Sequence, residues 1–224
     1  NKVHCMPPEA KFQKWALVPA NVAAALPSNV LPQRHLAFGG QGAVFDGHVD
    51  GVRAAIKVYY PGQHGLRIER EIELLRQLRS SATVALLWHG TLDFFGSPLP
   101  VVATEFFEGT DLSVRLQAGP LTDGELCTVA QVGASAIDEL WTRRIVHRDI
   151  KPQNIMLDQT RACVIDLGLA RHLDQSSLTA MGVVWGTWGY LSPEQAKGVR
   201  ALTCKSDIYS LGVTLLHAMN GRHP

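Results

Sequence analysis

The clearest indication of this chain's fold is the stretch His147-Arg148-Asp149-Ile150-Lys151-Pro152-Gln153-Asn154. It places a carboxylate, an ammonium and an amide within six residues, and Asp166-Leu167-Gly168 begins twelve residues after the last of them. A His-Arg-Asp triplet alone is typical of a solvated loop, and Asp-x-Gly alone is an ordinary turn. The joint pattern, with an apolar strand leading into the second motif, is far rarer and indicates a site of chemistry.

Together the two motifs resemble the catalytic loop and the metal-binding Asp-Phe-Gly motif of the eukaryotic-type (Hanks-type) serine/threonine protein kinases, with Leu167 in place of the phenylalanine. The resemblance implies that Asp149 orients the attacking hydroxyl and that Asn154 and Asp166 bind Mg2+. It also implies that Thr187 hydrogen-bonds with Lys151 and Asp149 and completes the catalytic set. Lys151 favours serine and threonine over tyrosine as the substrate.

Composition narrows the classes of protein that this chain can be. At 224 residues and 46% hydrophobic, it is long enough to bury a core in one or two compact units. A formal net charge of +1 gives no reason to expect nucleic acid as a partner. The four cysteines form no CxxC pair, so reduced thiols and a cytoplasmic location are expected. No apolar run is long enough for a membrane span.

Changes in pattern along the chain predict an α+β, bilobal architecture. Residues 1–33 are rich in proline and read as an irregular extension with a short helix near 21–26. Residues 34–105 are expected to form a small antiparallel β lobe and residues 106–109 a hinge. Residues 110–224 are expected to form a mainly helical lobe, which stops after the helix that carries Asp207.

Two strand-like runs, residues 44–49 and 52–59, are joined by Asp50-Gly51, which is a strong hairpin signal. Ahead of them lies Ala37-Phe38-Gly39-Gly40-Gln41-Gly42-Ala43-Val44, whose glycines let the backbone approach a phosphate. This segment resembles the kinase glycine-rich loop. Ala37 stands where the family has its first glycine, and Gln41 replaces the usual aromatic tip.

The resemblance extends to the lysine and glutamate that position the nucleotide. Lys57 corresponds to the strand lysine that holds the α- and β-phosphates. Three glutamates, Glu69, Glu71 and Glu73, lie on the helix predicted over residues 66–78. The family pattern selects Glu71 as the partner of Lys57 and leaves the other two as solvated helix charges.

The resemblance further places the adenine and ribose contacts. Thr104 would be the gatekeeper, backbone groups from Glu105 to Phe107 would meet the adenine edge, and Asp111 would reach the ribose. Three apolar residues that the pattern alone explains as core would sandwich the base. The full set implied for ATP is Gly39, Gly40, Gly42, Val44, Ala55, Lys57, Glu71, Thr104, Glu105, Phe107, Asp111 and Met156.

The second half of the chain continues the pattern. Thr122-Asp123-Gly124-Glu125 is a capping box, and the helix after it is predicted to end near Thr142. Gly186 to Glu194 resembles the anchor of the kinase activation segment. The following Gln195-Ala196-Lys197-Gly198 is typical of bacterial members. An activating phosphate is expected on Ser176, Ser177 or Thr179.

The sequence therefore predicts a serine/threonine protein kinase domain that uses MgATP and phosphorylates a protein hydroxyl. Kinase domains normally continue beyond Pro224 and supply an arginine that pairs with the counterpart of Glu194, so the chain is expected to be truncated or minimal and Glu194 to need another partner. Two other functions are weighed. One is a pseudokinase that binds nucleotide as a scaffold, and the other is a small-molecule phosphotransferase of kinase-like fold.

Overall fold

A computed structural model describes residues 16–62, 65–167, 171–172, 186–199 and 201–224, and for 171–172 it describes the backbone alone. Gly168 and the expected phosphorylation sites Ser176, Ser177 and Thr179 lie outside these ranges. The chain divides into two compact units. The first contains the residues up to Ile68 together with Leu86–Phe106, and the second contains Glu69–Ala85 and Phe107–Pro224.

The first unit is built on a five-stranded antiparallel sheet. Its strands are β1 Val30–Phe38, β2 Gly42–Val49, β3 Val52–Tyr59, β4 Leu86–Phe94 and β5 Ser97–Glu105. Their spatial order is β1-β2-β3-β5-β4. Two helices belong wholly or partly to this unit: α1 Pro19–Ala24, and α2 Gly65–Gln77, which continues into the second unit.

The β2–β3 hairpin turns through Asp50 and Gly51, whose φ angles of 50° and 80° are both positive, as a type I′ turn requires. A two-residue turn leaves no freedom in register, because Val49 must lie opposite Val52. The same register places Val44 opposite Lys57. The turn thus decides which residues share a face of the sheet.

One face of this sheet, here called the core face, is apolar and buried. It carries Ala43, Phe45, Ala54, Ile56, Val58, Val101 and Ala103, each fully shielded from solvent. Leu17, Val22 and Leu26, from α1 and the residues beside it, pack into the same cluster. Each large side chain buried in this way stabilises the fold by roughly 1.5 to 3 kcal/mol. The first unit therefore has its core on this side.

The second unit is mainly helical, with short strands around the loops. Its helices are α3 Leu112–Arg115, α4 Asp123–Thr142, α5 Pro193–Ala196 and α6 Cys204–Asn220. Its strands are β6 Thr110–Asp111, β7 Ile145–Val146, β8 Ile155–Leu157, β9 Ala162–Val164 and β10 Arg171–His172. They form a three-stranded sheet, β6-β8-β9, and a β10-β7 pair. Single 3-10 turns occupy 116–118 and 152–154.

Helix α4 begins and ends where the sequence predicts. Thr122 and Glu125 form the reciprocal capping box. Arg115 donates two hydrogen bonds to Glu125, at 2.7 and 2.8 Å, and holds the pKa of that carboxyl at about 2. The helix buries Val129 and Leu140 and delivers the chain to β7, directly before His147. No helix among the described residues combines the length and apolar content that crossing a membrane requires.

Candidate active site

The loop after β7 is fixed by a buried aspartate of α6. The amides of His147 and Arg148 donate to Oδ2 and Oδ1 of Asp207, both at 2.8 Å. Asp207 is 1% exposed. Its burial raises its pKa, and the nearby His147 and the two amide donors act in the opposite direction. Arg148 has a φ of 72°, an uncommon conformation that such hydrogen bonds can hold in place.

A second hold on this loop comes from α5 and was not anticipated from the sequence. The Gln195 side chain donates to the carbonyl oxygen of Arg148 at 2.9 Å. Gln195 is also the third residue of a capping box whose cap, Ser192, is fully buried. The only signal for this in the sequence is the Ser-x-x-Gln spacing, which predicts the cap but not the contact with the loop.

Asp149 and Lys151 share one hydroxyl. Thr187 Oγ1 donates to Asp149 Oδ1 at 2.8 Å and lies 2.6 Å from Lys151 Nζ. Lys151 Nζ also lies 2.8 Å from Asp149 Oδ2. Both side chains are largely shielded, at 12% and 18% exposure, so the charge interaction is stronger than a surface pair would be. The carboxylate therefore has a fixed direction and an ammonium beside it.

Asn154 is held against the same aspartate. Its Nδ2 donates to the Asp149 carbonyl at 2.8 Å and to Asp149 Oδ2 at 3.1 Å, which turns the amide oxygen away from Asp149. The amide of Ile165 donates to the Asn154 carbonyl at 2.8 Å, so the chain passes Asn154 immediately before Asp166. Mg2+ is commonly held by one or two protein oxygens, with phosphates and water completing the shell. Asn154 and Asp166 fit that requirement.

On the first unit, four of the residues expected at the nucleotide lie on the face of the sheet opposite the core face, here called the second face. Val44 pairs with Lys57, and Ala55 pairs with Thr104. Residues directly opposite one another, and those two apart along a strand, point the same way. All four side chains are partly exposed. Lys57 Nζ lies 4.6 Å from the centre of the Tyr59 ring.

The glycines where the chain turns from β1 into β2 serve different purposes. A Cβ at Gly42 would lie 2.3 Å from the carbonyl oxygen of Val58, so close packing on β3 explains that glycine. A Cβ at Gly40 would meet none of the described residues within 4 Å. The Gly39 amide donates to the Gly42 carbonyl at 2.8 Å and closes the turn. Packing against the described residues does not explain Gly40, and the space there is open to a ligand.

In the part of the chain that the structure describes, β5 extends one residue past its ladder with β4, and that side of its last residue is here called the open edge. The Phe106 amide donates to the carbonyl of Arg53 on β3 at 3.2 Å. In an antiparallel pair the residue before it on the same strand then directs its backbone groups to the other side, away from β3. That residue is Glu105. On that other side the ladder with β4 ends at the pair Leu86–Thr104, one residue before it.

The remaining nucleotide candidates belong to the second unit. Met156 is half-buried on β8, opposite Cys163. The Asp111 carboxylate caps α3, accepting from the Val114 amide at 3.1 Å and from the Ser113 hydroxyl. The guanidinium carbon of Arg161 lies over the Phe107 ring, 5.3 Å from the ring centre. Asp111 thus has a structural task that a contact with ribose would have to share.

Burial separates the three glutamates of α2. Glu71 is 5% exposed, whereas Glu69 and Glu73 are exposed. Glu73 accepts a hydrogen bond from Gln77, one turn later, at 3.0 Å. A buried carboxylate needs a partner, whereas an exposed one is solvated. The distinction drawn from the sequence motif therefore has a physical counterpart in the helix.

The described end of the activation segment is joined to α6. Ser206 donates to Glu194 Oε1 at 2.6 Å and holds the pKa of that carboxyl below its usual range. Tyr190 bonds His217 at 2.7 Å through its hydroxyl, and its carbonyl accepts from Ser210 at 2.7 Å. The Ser206 hydroxyl is therefore the partner of Glu194, in the role that an arginine has in the family.

Comparison with known families agrees with this geometry. The protein kinase domain family matches residues 32–224. This chain belongs to that family. The predicted family is confirmed, as is the predicted α+β fold class with a small antiparallel sheet and a mainly helical second part. Protein kinases as a family use ATP and Mg2+.

Three bacterial kinases illustrate the likeness. Serine/threonine-protein kinase pkn2 of Myxococcus xanthus is 34% identical over 205 residues, 85% of this chain and 24% of that protein. The probable serine/threonine-protein kinase PkwA of Thermomonospora curvata is 35% identical over 88% of this chain and 27% of its own length. Serine/threonine-protein kinase PknB of Mycobacterium tuberculosis is 36% identical over 71% of this chain and 26% of its own length. This kinase domain spans about a quarter of the length of each relative.

Proposed function

We propose that this domain transfers the γ-phosphate of MgATP to a serine or threonine hydroxyl of a protein substrate. The observation that carries the proposal is the Thr187 hydroxyl between Asp149 Oδ1 and Lys151 Nζ. It joins the activation segment to the catalytic loop, so the residues that meet a substrate peptide and those that perform the chemistry are held together. A small-molecule phosphotransferase has no need of that connection.

In this mechanism Asp149 accepts a hydrogen bond from the substrate hydroxyl and takes its proton as the oxygen attacks. Lys151, 2.8 Å from the same carboxylate, stabilises negative charge that develops beside it. Asn154 and Asp166 would hold the metal. When bound, Mg2+ supplies positive charge that the transferred phosphoryl group requires.

On the first unit, the second face would receive the nucleotide. Val44 and Ala55 would pack against the base, and Lys57 would hold phosphate oxygens with Glu71 as its proposed carboxylate partner. The open position at Gly40 would let backbone amides approach the phosphates. Glu105 would meet the adenine edge from the open end of β5.

The test is transfer of labelled γ-phosphate from MgATP to the domain itself and to a basic protein, followed by identification of the labelled amino acid. Asp149→Asn is expected to lower the rate at least a hundredfold, because the general base is lost. Lys57→Met is expected to abolish measurable transfer. Asp138→Asn and Lys205→Met, at exposed positions of α4 and α6, are the matched controls and should retain the wild-type rate.

Three outcomes are informative. Phosphoserine or phosphothreonine that disappears in the two site variants supports the proposal. MgATP binding without transfer in the wild-type domain would favour a scaffold that signals by binding. Transfer to small alcohols but not to peptides would favour a small-molecule phosphotransferase.

The proposal includes a setting and a mode of activation. We place the domain in the cytoplasm, where ATP and reducing conditions for its thiols are available. Residues 34–105 would act as the small lobe, 106–109 as the hinge and 110–224 as the helical lobe, with residues 1–33 as an extension. Autophosphorylation at Ser176, Ser177 or Thr179 would activate the domain by pairing with Arg148. Unchanged activity in the triple alanine variant would remove this last element.

A further inference from the structure

An arginine on the second face contacts the residue that follows the open end of β5. The guanidinium of Arg53 lies over the Phe106 ring, 4.0 Å from its centre. The Arg53 carbonyl accepts the Phe106 amide at 3.2 Å. Arg53 thus holds both the ring and the backbone of Phe106, and a cation this close to an aromatic face is attracted to it.

Arg53 is itself fixed by Asp46. Its Nε and Nη2 donate to the two oxygens of Asp46 at 3.1 and 3.0 Å, the forked geometry that arginine and carboxylate form best. Asp46 is 8% exposed, and Arg53 holds its pKa below the usual range, so the carboxylate is charged at neutral pH. Arg34 binds the same carboxylate at 3.0 Å, but its side chain is 66% exposed.

Asp46, Arg53 and Phe106 lie beside the position proposed to meet adenine, Glu105. Asp46 lies opposite Ala55, and Ala54 lies opposite Glu105. Because the Phe106 amide is bonded to β3, the backbone groups of Glu105 face the open edge. If Phe106 turned or lost that bond, the alternation would be lost and Glu105 would no longer be directed outward.

We propose that Arg53, held by Asp46, is a positioning residue that clamps Phe106 and so presents the Glu105 backbone to the base edge of the nucleotide. The assignment rests on the proposed binding of ATP. It concerns recognition of the base and not the transfer step, so its loss raises the KM for ATP and leaves kcat unchanged. Nothing in the kinase motifs of this sequence points to Arg53 or Asp46.

The decisive experiment measures dissociation constants by titration, so that it does not depend on transfer. MgATP is compared with MgITP, in which an oxygen replaces the amino group of adenine and the contact with Glu105 cannot form in the same way. Arg53→Met keeps much of the stem but loses the fork and the charge. This substitution is expected to raise the Kd for MgATP about tenfold. The Kd for MgITP should change by less than about twofold.

Three further variants accompany Arg53→Met, and Phe106→Leu keeps the result interpretable if Arg53→Met folds poorly. Phe106→Leu removes the ring and should also raise the Kd for MgATP more than the Kd for MgITP. The double variant should bind MgATP no more weakly than Arg53→Met alone, because both substitutions remove the same contact. Arg34→Met removes the exposed second arginine from Asp46 and should change neither constant. Thermal unfolding of each variant checks its folding.

Equal weakening of ATP and ITP would overturn the assignment, because it would mean that the whole unit has loosened. Unchanged ATP binding in Arg53→Met and Phe106→Leu would also overturn it while leaving the proposed kinase function intact. ATP binding by a wild-type domain that transfers no phosphate would contradict the proposed function alone, since the clamp is judged from binding. A wild-type domain that binds no MgATP would overturn both.

Discussion

The catalytic loop and the second face of the sheet achieve the same end, a fixed set of functional groups, by different means. In the loop, side chains fix one another: Asp149, Lys151 and Thr187 are joined by three contacts between 2.6 and 2.8 Å. On the second face, strand register places Val44 opposite Lys57, and a missing side chain at Gly40 provides space. The effect of a substitution in the loop should therefore depend on which functional group is lost. The effect of a substitution on the sheet should depend on the size and position of the new side chain.

The largest effect is expected at the base of the loop. Asp207→Ala would leave the buried amides of His147 and Arg148 without their acceptor and should lower the free energy of unfolding by about 3 to 5 kcal/mol. Urea unfolding measures the loss, and hydrogen exchange of the two amides shows whether it is local. Asp138→Ala, on the exposed side of α4, is the control. A loss below about 0.5 kcal/mol would mean that the loop does not depend on this carboxylate.

Next in size is the shared hydroxyl. Thr187→Ala should lower kcat about a hundredfold, because Asp149 and Lys151 lose the group that orients both. Thr187→Ser keeps the hydroxyl and should recover most of the rate. If the serine variant had a kcat as low as that of the alanine variant, the methyl group and not the hydrogen bonds would be the important part of the side chain. Size would then matter in the loop as it does on the sheet.

The sheet gives the contrasting case at Gly42. Alanine there would place a methyl group against the Val58 carbonyl and should destabilise the first unit by about 2 kcal/mol. Thermal unfolding followed by a probe in the sheet measures this. An unchanged midpoint would show that β2 can move away from β3 at little cost, contrary to register control.

The smallest expected effect separates binding from stability within the same loop. Gly40→Ala adds a methyl group into open space, so the unfolding midpoint should not fall. The Kd for MgATP should rise about fivefold, because the methyl group occupies the space through which the backbone would approach a phosphate. An unchanged Kd would mean that phosphates do not approach at Gly40, and the glycine would then lack a physical reason.

Much of this architecture could be predicted from the sequence, for identifiable reasons. The Asp50-Gly51 turn specifies a hairpin register, and strand alternation then places Val44 and Lys57 on one face. The capping box at Thr122 specifies where α4 begins. Signals of this kind are local, because each depends on residues a few positions apart.

The contacts that could not be predicted join distant parts of the chain. Gln195 reaches Arg148, Ser206 reaches Glu194, and Arg53 reaches Phe106. Glutamine, serine and arginine have no spacing rule that reveals such partners, since each would be equally acceptable in solvent. The family resemblance supplied the residues proposed for the transfer site, but it did not point to these supporting contacts, which only the three-dimensional structure shows.

The covering of the core face has a practical consequence for anyone producing this protein. The family match begins at residue 32, yet Leu17, Val22 and Leu26 lie in the core of the first unit. A version trimmed to the match would lose these three apolar side chains from the core and leave apolar neighbours less shielded from water, which promotes self-association. Expression should therefore begin at or before residue 16.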